Sequence, residues 1–140
     1  MAVKGLKKVL SNLKKFGAEA AVEIDISTMA TALDIAKNAK TLAPKDMGKL
    51  AQSIYEAKIS EADYKVVVGA YYGAYVEFGT GKKVQVPTEL KEIAIQFKGA
   101  GIKQINLQPQ PFLYPAFVKG RKQYIKDLKK VLKKLTKKYE

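Results

Sequence analysis

The clearest structural signal in this sequence is LAQSIYEAKISEADYKVVVGA, residues 50–70. Residues 50–59 are amphipathic with period two, and residues 64–70 include three consecutive valines, so each stretch favours a β-strand. Only the polar residues 61–63 separate the two stretches, and strands joined by so short a turn pair most simply as an antiparallel hairpin. We therefore expect a small antiparallel sheet in the middle of the chain.

A long helix is predicted before this hairpin. Residues 3–42 carry apolar side chains three or four positions apart, which is the spacing of one helix face. The first of these side chains are Leu6, Val9, Leu13, Phe16 and Ala20. Gly17 and the β-branched cluster at residues 22–28 are places where the helix could break. The predicted helix ends just before Pro44, because a residue that precedes proline is pushed out of the helical conformation.

A second helix is predicted after the hairpin, at residues 116–139, with lysines over most of its surface and one apolar face. That face consists of Phe117, Tyr124, Leu128, Val131, Leu132 and Leu135. We expect Phe117, Tyr124, Leu128 and Leu135 to point toward the sheet. Between the hairpin and this helix, residues 88–97 have the pattern of a short helix and residues 102–107 alternate like a third strand.

These elements predict one α+β domain over residues 1–140, a small antiparallel β-sheet packed with a long N-terminal helix and a C-terminal helix. The sheet and loop region occupies residues 50–111. A chain of 140 residues with 47% hydrophobic composition has the size and apolar content of one domain with a real core.

The composition removes several classes of chemistry. The chain has no cysteine and no histidine, which excludes disulfides, zinc sites of the usual type, haem ligation by histidine, thiol nucleophiles and Ser-His-Asp triads. No apolar run approaches the length needed to span a bilayer, and the N-terminus lacks the apolar stretch of a secretory signal. We expect a soluble, intracellular protein that is not an enzyme and binds no cofactor or metal.

The positive charge is concentrated at the two ends of the chain. The formal net charge is +13; residues 1–16 hold five lysines and no acid, and residues 119–140 hold ten basic groups and two acids. The residues between them carry eleven groups of each sign. The lysines can form a solvated helix face, or they can contact DNA or an acidic partner surface. In either case we expect most of the C-terminal charge to point outward or toward an acidic neighbour.

Two local features invite a catalytic interpretation. The stretch GTGKK at residues 79–83 is not a phosphate-binding loop, because the upstream glycine and the final serine or threonine of that motif are missing. Glu77 is a single acid inside an aromatic, glycine-bounded segment and could act as a general base. A structural role is favoured, either capping backbone amides or pairing with a lysine of a neighbouring subunit.

Three separated blocks carry a resemblance. They are APKDMGKLAQSI at residues 43–54, VGAYYGAYVEFGT at residues 68–80 and QPQPFLYPA at residues 108–116. In this order they resemble the tail-component family of lambdoid-type bacteriophages, the tail-completion or head–tail joining proteins of the neck. The motif residues are Pro44, Asp46, Gly48, Leu50, Ser53, Ile54, Gly69, Tyr72, Glu77, Phe78, Gly79, Thr80, Pro111, Phe112 and Pro115.

The resemblance implies a virion structural protein that joins the tail to the head connector. Its expected partners are other copies of the chain in a ring (a hexamer in the virion), the connector or stopper proteins, and the tail tube or tail terminator proteins. It would be located in the neck of the virion, and in the host cytoplasm during assembly. Candidate interface residues are Tyr71, Tyr75, Glu77, Phe78, Lys129, Lys130, Lys133 and Lys134.

The residues themselves leave a second function open and suggest roles for parts of the motifs. The alternative is a basic protein that binds nucleic acid without sequence preference, through its terminal lysines. Within the motifs, Gly48 and Gly69 are expected where the chain turns or where backbones approach closely. Phe112, framed by Pro111 and Pro115, is expected in the core more than at an interface.

Overall fold

The fold was analysed in a computed structural model that describes residues 5–46, 48–80, 87–90 and 108–140. Its elements, in chain order, are α1 (Leu6–Leu42), α2 (Gly48–Gln52), β1 (Ile54–Ser60), β2 (Asp63–Val68), α3 (Gly73–Phe78), a 3₁₀ turn (Thr88–Leu90) and α4 (Leu113–Lys138). A long N-terminal helix, a two-stranded antiparallel sheet and a C-terminal helix confirm the predicted α+β class.

Helix α1 is a single unbroken helix of 37 residues, about 55 Å long. Neither Gly17 nor the β-branched cluster at residues 22–28 interrupts it. The helix ends at Leu42, and Ala43 is extended before Pro44, as predicted. Its buried residues are Ala32, Ile35, Ala36 and Ala39. The alanines leave the helix surface flat on that side, so neighbouring elements can approach it closely.

The hairpin is shorter than predicted at its N-terminal side. Strand β1 pairs with β2 from Ile54 opposite Val68 to Ser60 opposite Asp63. Residues 50–52, predicted as the start of the strand, belong instead to the short helix α2. Leu50 and Ile54 are both buried, which an alternating strand and a helical turn allow equally, and the helical turn is the one that forms: the Ser53 backbone N–H donates to the carbonyls of Lys49 and Leu50, both at 3.1 Å. The Ser53 hydroxyl donates to the Leu50 carbonyl at 2.7 Å and closes that turn.

The C-terminal helix α4 packs along α1, so the prediction that its apolar face packs on the sheet is wrong for most of the helix; Phe117 and Tyr124 do line a cavity together with Tyr64 and Val66 of β2. Its fully buried residues are Ala116, Gly120 and Leu135. Phe117, expected toward the sheet, is 43% exposed. The two strands in the described part of the chain span seven and six residues, too few to cover a helix of 26 residues, whereas α1 offers a face of matching length. The helix also begins at Leu113, three residues before the predicted start.

One core joins α1, α2, β1, α3 and the start of α4, and Val66 and Val68 of β2 pack against it. It is formed by Ile35, Ala36, Ala39, Ala43, Leu50, Ile54, Val76, Phe112 and Ala116. Residues 88–90 form only a 3₁₀ turn, and the rest of the predicted short helix at 88–97 and the third strand at 102–107 lie outside the described residues.

The tip of the hairpin is tied to the middle of α1 by Asp25. One carboxylate oxygen accepts a hydrogen bond from the Ala62 backbone N–H at 2.8 Å, and the other lies 3.4 Å from the Lys58 ammonium. The Tyr64 hydroxyl also donates to this carboxylate. Ala62 has a positive φ of 56°, so the turn adopts a conformation that is unfavourable for alanine. The hydrogen bond from the Ala62 N–H to Asp25 helps to hold the turn in that conformation.

These contacts predict an acid-dependent loss of stability. The Ala62 hydrogen bond, followed by Lys58, lowers the pKa of Asp25 below its ordinary value near 3.8. Because the folded-state pKa is the lower one, the stabilisation is complete above about pH 4 and is lost as the pH falls through the folded-state pKa. In urea unfolding, Asp25→Asn is expected to be less stable than the native chain at pH 6, and the difference should shrink at pH 3.

The matched control is Asp34→Asn, on the same helix. Within the described part of the chain, Asp34 makes no hydrogen bond or ion pair, so this change should leave stability at pH 6 nearly the same. A difference between the Asp25→Asn variant and the native chain that stays constant from pH 6 to pH 3 would contradict the assigned role of Asp25.

Candidate functional site

The central feature of the motif region is a buried carboxylate, that of Glu77 on α3. Glu77 is 6% exposed. One of its oxygens, Oε2, accepts hydrogen bonds from the backbone N–H groups of Phe112 at 2.8 Å and Leu113 at 2.9 Å. The other, Oε1, accepts from the N–H of Tyr114 at 2.8 Å. Glu77 therefore binds three consecutive amides at the start of α4.

This arrangement is a helix cap supplied from a distant part of the chain. The first N–H groups of a helix have no partner within the helix, and the residue at the N-cap of α4, Phe112, has no side chain that can accept a hydrogen bond. A carboxylate is well suited to this end, because the helix dipole makes it positive. Of the roles considered for Glu77, the hydrogen bonds show capping. Both oxygens are engaged, which disfavours the general-base alternative.

The helix that carries Glu77 is shaped by glycines. Gly73 begins α3, and a Cβ there would lie 2.6 Å from Cγ1 of Val68, so only glycine lets the helix approach the end of β2. Gly79 ends α3 with a positive φ of 78°, a conformation that glycine adopts without strain. Between these two glycines the helix is short and fixed, and Glu77 is turned inward toward α4.

The three sequence blocks meet at this junction. The N–H of Gln110 in the third block donates to the carbonyl of Val76 in the second block at 2.8 Å. The N–H of Gly69 donates to the Ser53 carbonyl at 2.9 Å, which joins the second block to the first. In the core, Leu50 and Phe112 pack in the same cluster as Val76. We call this region the motif junction.

Seven of the fifteen motif residues are buried in or beside the motif junction. Phe112 is 1% exposed and lies in the core. Gly69 has the expected close approach, since a Cβ there would lie 3.2 Å from the Ser53 carbonyl oxygen. Gly48 shows no such close approach: it begins α2 with open space around it and without a positive φ. The buried motif residues are Leu50, Ile54, Glu77, Phe78, Gly79, Thr80 and Phe112. Those at or near the surface are Pro44, Asp46, Gly48, Ser53, Gly69, Tyr72, Pro111 and Pro115.

The candidate interface residues separate into two groups. Glu77 and Phe78 are buried within the chain, because the α4 amides draw the carboxylate inward, so they are not available at the surface of this chain. Tyr71, by contrast, is 88% exposed, and Tyr75 is half-buried. The exposed part of this candidate interface is therefore centred on Tyr71. The four lysines of α4 are all exposed; they are Lys129, Lys130, Lys133 and Lys134.

Exposed apolar side chains on α1 form surfaces that the sequence did not predict. The first surface, which we call the α1 overhang, consists of Leu6, Val9, Leu10 and Leu13, each more than half exposed. The second, which we call the α1 outer face, consists of Val22, Ile26, Met29 and Leu33, which are 41–56% exposed. Helical periodicity shows which side chains share a face, but it does not show whether a partner covers that face.

Metal binding and membrane insertion find no support in the described residues. Within residues 5–46, 48–80, 87–90 and 108–140, no cluster of acidic side chains is suited to hold a metal ion. No helix in the described part of the chain is long and apolar enough to cross a membrane.

The geometry defines a class of protein: an α+β protein in which three separated sequence motifs meet in one structural region, the motif junction. Comparison with protein families agrees with this class. The chain matches the family described as "Bacteriophage HK97-gp10, putative tail-component" over residues 7–79, slightly more than half of its length. It therefore belongs to this family of bacteriophage tail components, which supports a structural role in the virion. No curated protein and no solved structure matches the chain.

Proposed function

We propose that this chain is a non-enzymatic component of the phage neck that joins the tail to the head connector. Membership of a tail-component family supports the structural part of this role. The observation that carries the proposal is the motif junction, where the buried carboxylate of Glu77 is engaged by three backbone amides and maintains the fold. The motifs thus preserve an architecture, as expected of a protein whose function is to present surfaces to partners.

The proposal includes a ring of identical copies, a hexamer in the virion. A closed ring requires a head-to-tail interface, in which two different patches of the same chain meet. The exposed surface around Tyr71 and the α1 outer face are two such patches, and they lie on separate elements. One open face of the ring would meet the connector or stopper, and the opposite face would meet the tail tube or tail terminator.

The experiment is a phage that lacks the gene for this chain, examined by negative-stain electron microscopy. We expect filled heads and complete tails that remain separate, because joining is the step that fails. Supplying the chain in the host cytoplasm should restore joined particles. Joined, infectious particles in the absence of the chain would contradict the neck role, and so would a failure to form tails.

A second candidate function is sequence-independent binding of nucleic acid, favoured by the exposure of the α4 lysines. Displacing counterions from phosphates gives such binding a steep dependence on salt. The two functions are separated by titrating the isolated chain with duplex DNA over a range of salt concentrations. Tight binding with a steep salt dependence would favour the nucleic-acid function, and weak binding at physiological salt is expected for the neck protein.

The four exposed α4 lysines provide a further test of assembly. Changing Lys129, Lys130, Lys133 and Lys134 together to glutamine removes one ion pair among the described residues, between Lys134 and Glu23 at 3.7 Å on the surface. Such pairs contribute about 0–1 kcal/mol, so the chain should remain folded. Incorporation into particles should fall, and the defect should grow as the salt concentration falls, because the lost attraction is then least screened.

The matched control carries the same change of charge elsewhere, at Lys37, Lys40, Lys45 and Lys49, all of which are exposed. Quantitative immunoblotting of purified particles measures incorporation for both variants. The control should be incorporated normally. Normal incorporation of the α4 variant would show that its charge serves solubility alone, and equal defects in both variants would show that only net charge matters.

A further inference from the structure

Helix α1 extends well beyond the point at which α4 ends. The rings of Phe16 on α1 and Tyr139, just after α4, meet edge to face with centroids 6.1 Å apart. Next to them, Lys138 donates to Glu19 at 2.8 Å, and the Tyr139 hydroxyl donates to the same carboxylate. These contacts mark the end of the helix pair. Leu6 lies ten residues before Phe16, so α1 continues about 15 Å further.

The α1 overhang has an apolar face with no neighbour among the described residues. Leu6, Val9, Leu10 and Leu13 are 53–61% exposed. They continue the side of α1 that packs against α4, because Leu13 and Phe16 are three residues apart and thus share a face. Four large apolar side chains within two turns of one helix are unusual on a surface that no partner covers.

A groove lies where the overhang meets the end of α4. It has a volume of about 560 Å³, and its apolar lining consists of Val9, Leu13, Phe16 and Tyr139. The remaining lining residues are Gly5, Lys8, Asn12, Thr136 and Glu140, so the groove is formed between α1 and the C-terminal end of α4. A second helix placed in line with α4 would cover both the groove and the exposed side chains of the overhang.

The charge around this groove is strongly positive. The overhang carries Lys7, Lys8, Lys14 and Lys15 and no acid. The last turns of α4 add Lys133, Lys137 and Lys138, and the nearby acids are Glu19, which is already bound to Lys138, and Glu140. Two copies of this surface would repel each other, whereas an acidic segment would be attracted.

We propose that this groove binds an acidic amphipathic helix of a partner protein, an inference that rests on the proposed role in assembly. The partner's helix would present leucine-like side chains to the α1 overhang and carboxylates to the surrounding lysines. Duplex DNA would satisfy the lysines but offers little apolar surface to cover the four side chains. A bilayer surface would suit a convex helix face better than a concave groove between two helices.

The test uses a synthetic helical peptide with leucine on one face and glutamate on the others, and the full chain labelled for fluorescence anisotropy. We expect saturable one-to-one binding. The double variant Val9→Gln/Leu13→Gln, which we call the overhang variant, changes the two exposed apolar side chains that line the groove and should weaken binding by about tenfold or more, since central apolar contacts dominate such grooves. The matched control Val22→Gln/Ile26→Gln removes exposed apolar side chains from the α1 outer face and should bind like the native chain.

Each alternative occupant corresponds to a measured outcome. A peptide with lysine in place of glutamate should not bind, and equal binding would overturn the proposal. The proposal would also fail if the overhang variant lost affinity for duplex DNA or for vesicles of anionic phospholipid while peptide binding was absent. If sedimentation showed a dimer of the native chain but a monomer of the overhang variant, the surface would be assigned to a second copy of the chain. Thermal unfolding at the same temperature for both variants verifies that folding is intact.

The peptide experiment and the gene-deletion experiment fail independently. If heads and tails stay separate without the chain, but the glutamate peptide does not bind, the groove proposal is wrong and the neck role remains. If the native chain binds the peptide and the overhang variant does not, while heads and tails of the deletion phage join normally, the groove proposal is correct and the partner lies outside the neck.

Discussion

Replacing Glu77 with alanine is expected to lower the free energy of unfolding by about 3–5 kcal/mol. The change leaves three backbone N–H groups without their acceptor at the start of α4, and the first of them, on Phe112, is buried. It also removes the negative charge that faces the helix dipole. A domain of this size has a total stability of about 5–15 kcal/mol, so this one change would remove a large share.

Urea unfolding monitored by circular dichroism measures the effect. Glu77→Gln should also destabilise the chain, because one carboxylate oxygen becomes an NH₂ group that faces an N–H donor. The matched control is Glu89→Ala, where the acid is exposed and lies 3.7 Å from Arg121, and its effect should be below about 1 kcal/mol. A Glu77→Ala variant as stable as that control would mean that the α4 amides do not depend on this carboxylate.

Replacing Gly120 with valine is expected to cost about 3 kcal/mol, through the packing of α4 on α1. A Cβ at position 120 would overlap Cγ1 of Ile35 and lie 2.7 Å from its Cδ1. Ile35 is 7% exposed and packs in the core, so the added side chain displaces a residue on which the core depends. Either Ile35 shifts toward the cavity that it lines or the two helices separate, and in both cases the packing around Gly120 is lost.

Two further variants make this prediction specific. Gly17→Ala changes a glycine inside α1 with nothing within 4 Å of the added Cβ, so it should stabilise the chain by about 0.5–1 kcal/mol. Gly120→Ala should be destabilising, although alanine is the better helix former. Combined with Ile35→Ala, which removes the overlapping atoms, the Gly120→Ala change should cost much less than it does alone. Additive effects of these two changes would show that the contact does not limit the approach of the helices.

The sequence predicted the parts of the fold that depend on local signals. The hairpin followed from period-two patterning and a short turn, and the end of α1 followed from Pro44. The start of β1 was misplaced because Leu50 and Ile54 share a side both in an alternating strand and in a helical turn. The orientation of α4 was misplaced because its partner is decided by the sizes of distant elements, which no window of the sequence contains.

The candidate site was predictable in its residues and less so in its geometry. The prediction placed Glu77 in a structural role because its segment contains no second catalytic group. Its actual partners lie 35–37 residues away along the chain, and only the fold brings them together. The exposure of Leu6, Val9 and Leu13 had no signal in the sequence either, since an apolar helix face has the same pattern whether the partner is internal or external.

The motif junction explains why separated blocks characterise this chain. The second block supplies the carboxylate, the third supplies the amides that it binds, and the first supplies Leu50 and Ile54 beneath them. The match to the tail-component family spans the first block and nearly all of the second, and ends at Gly79 before the third. Changes within any one block are therefore expected to act on the other two through α3 and α4.

The most direct test of the neck role is a cryo-electron microscopy reconstruction of the assembled virion, computed without imposed symmetry around the head–tail junction. We expect a closed ring of copies of this chain between the connector and the tail tube, each copy recognisable by the long α1 packed against α4. A six-fold ring would also support the proposed stoichiometry. A junction without this chain, or copies of it placed along the tail tube or at the tail tip, would contradict the neck role.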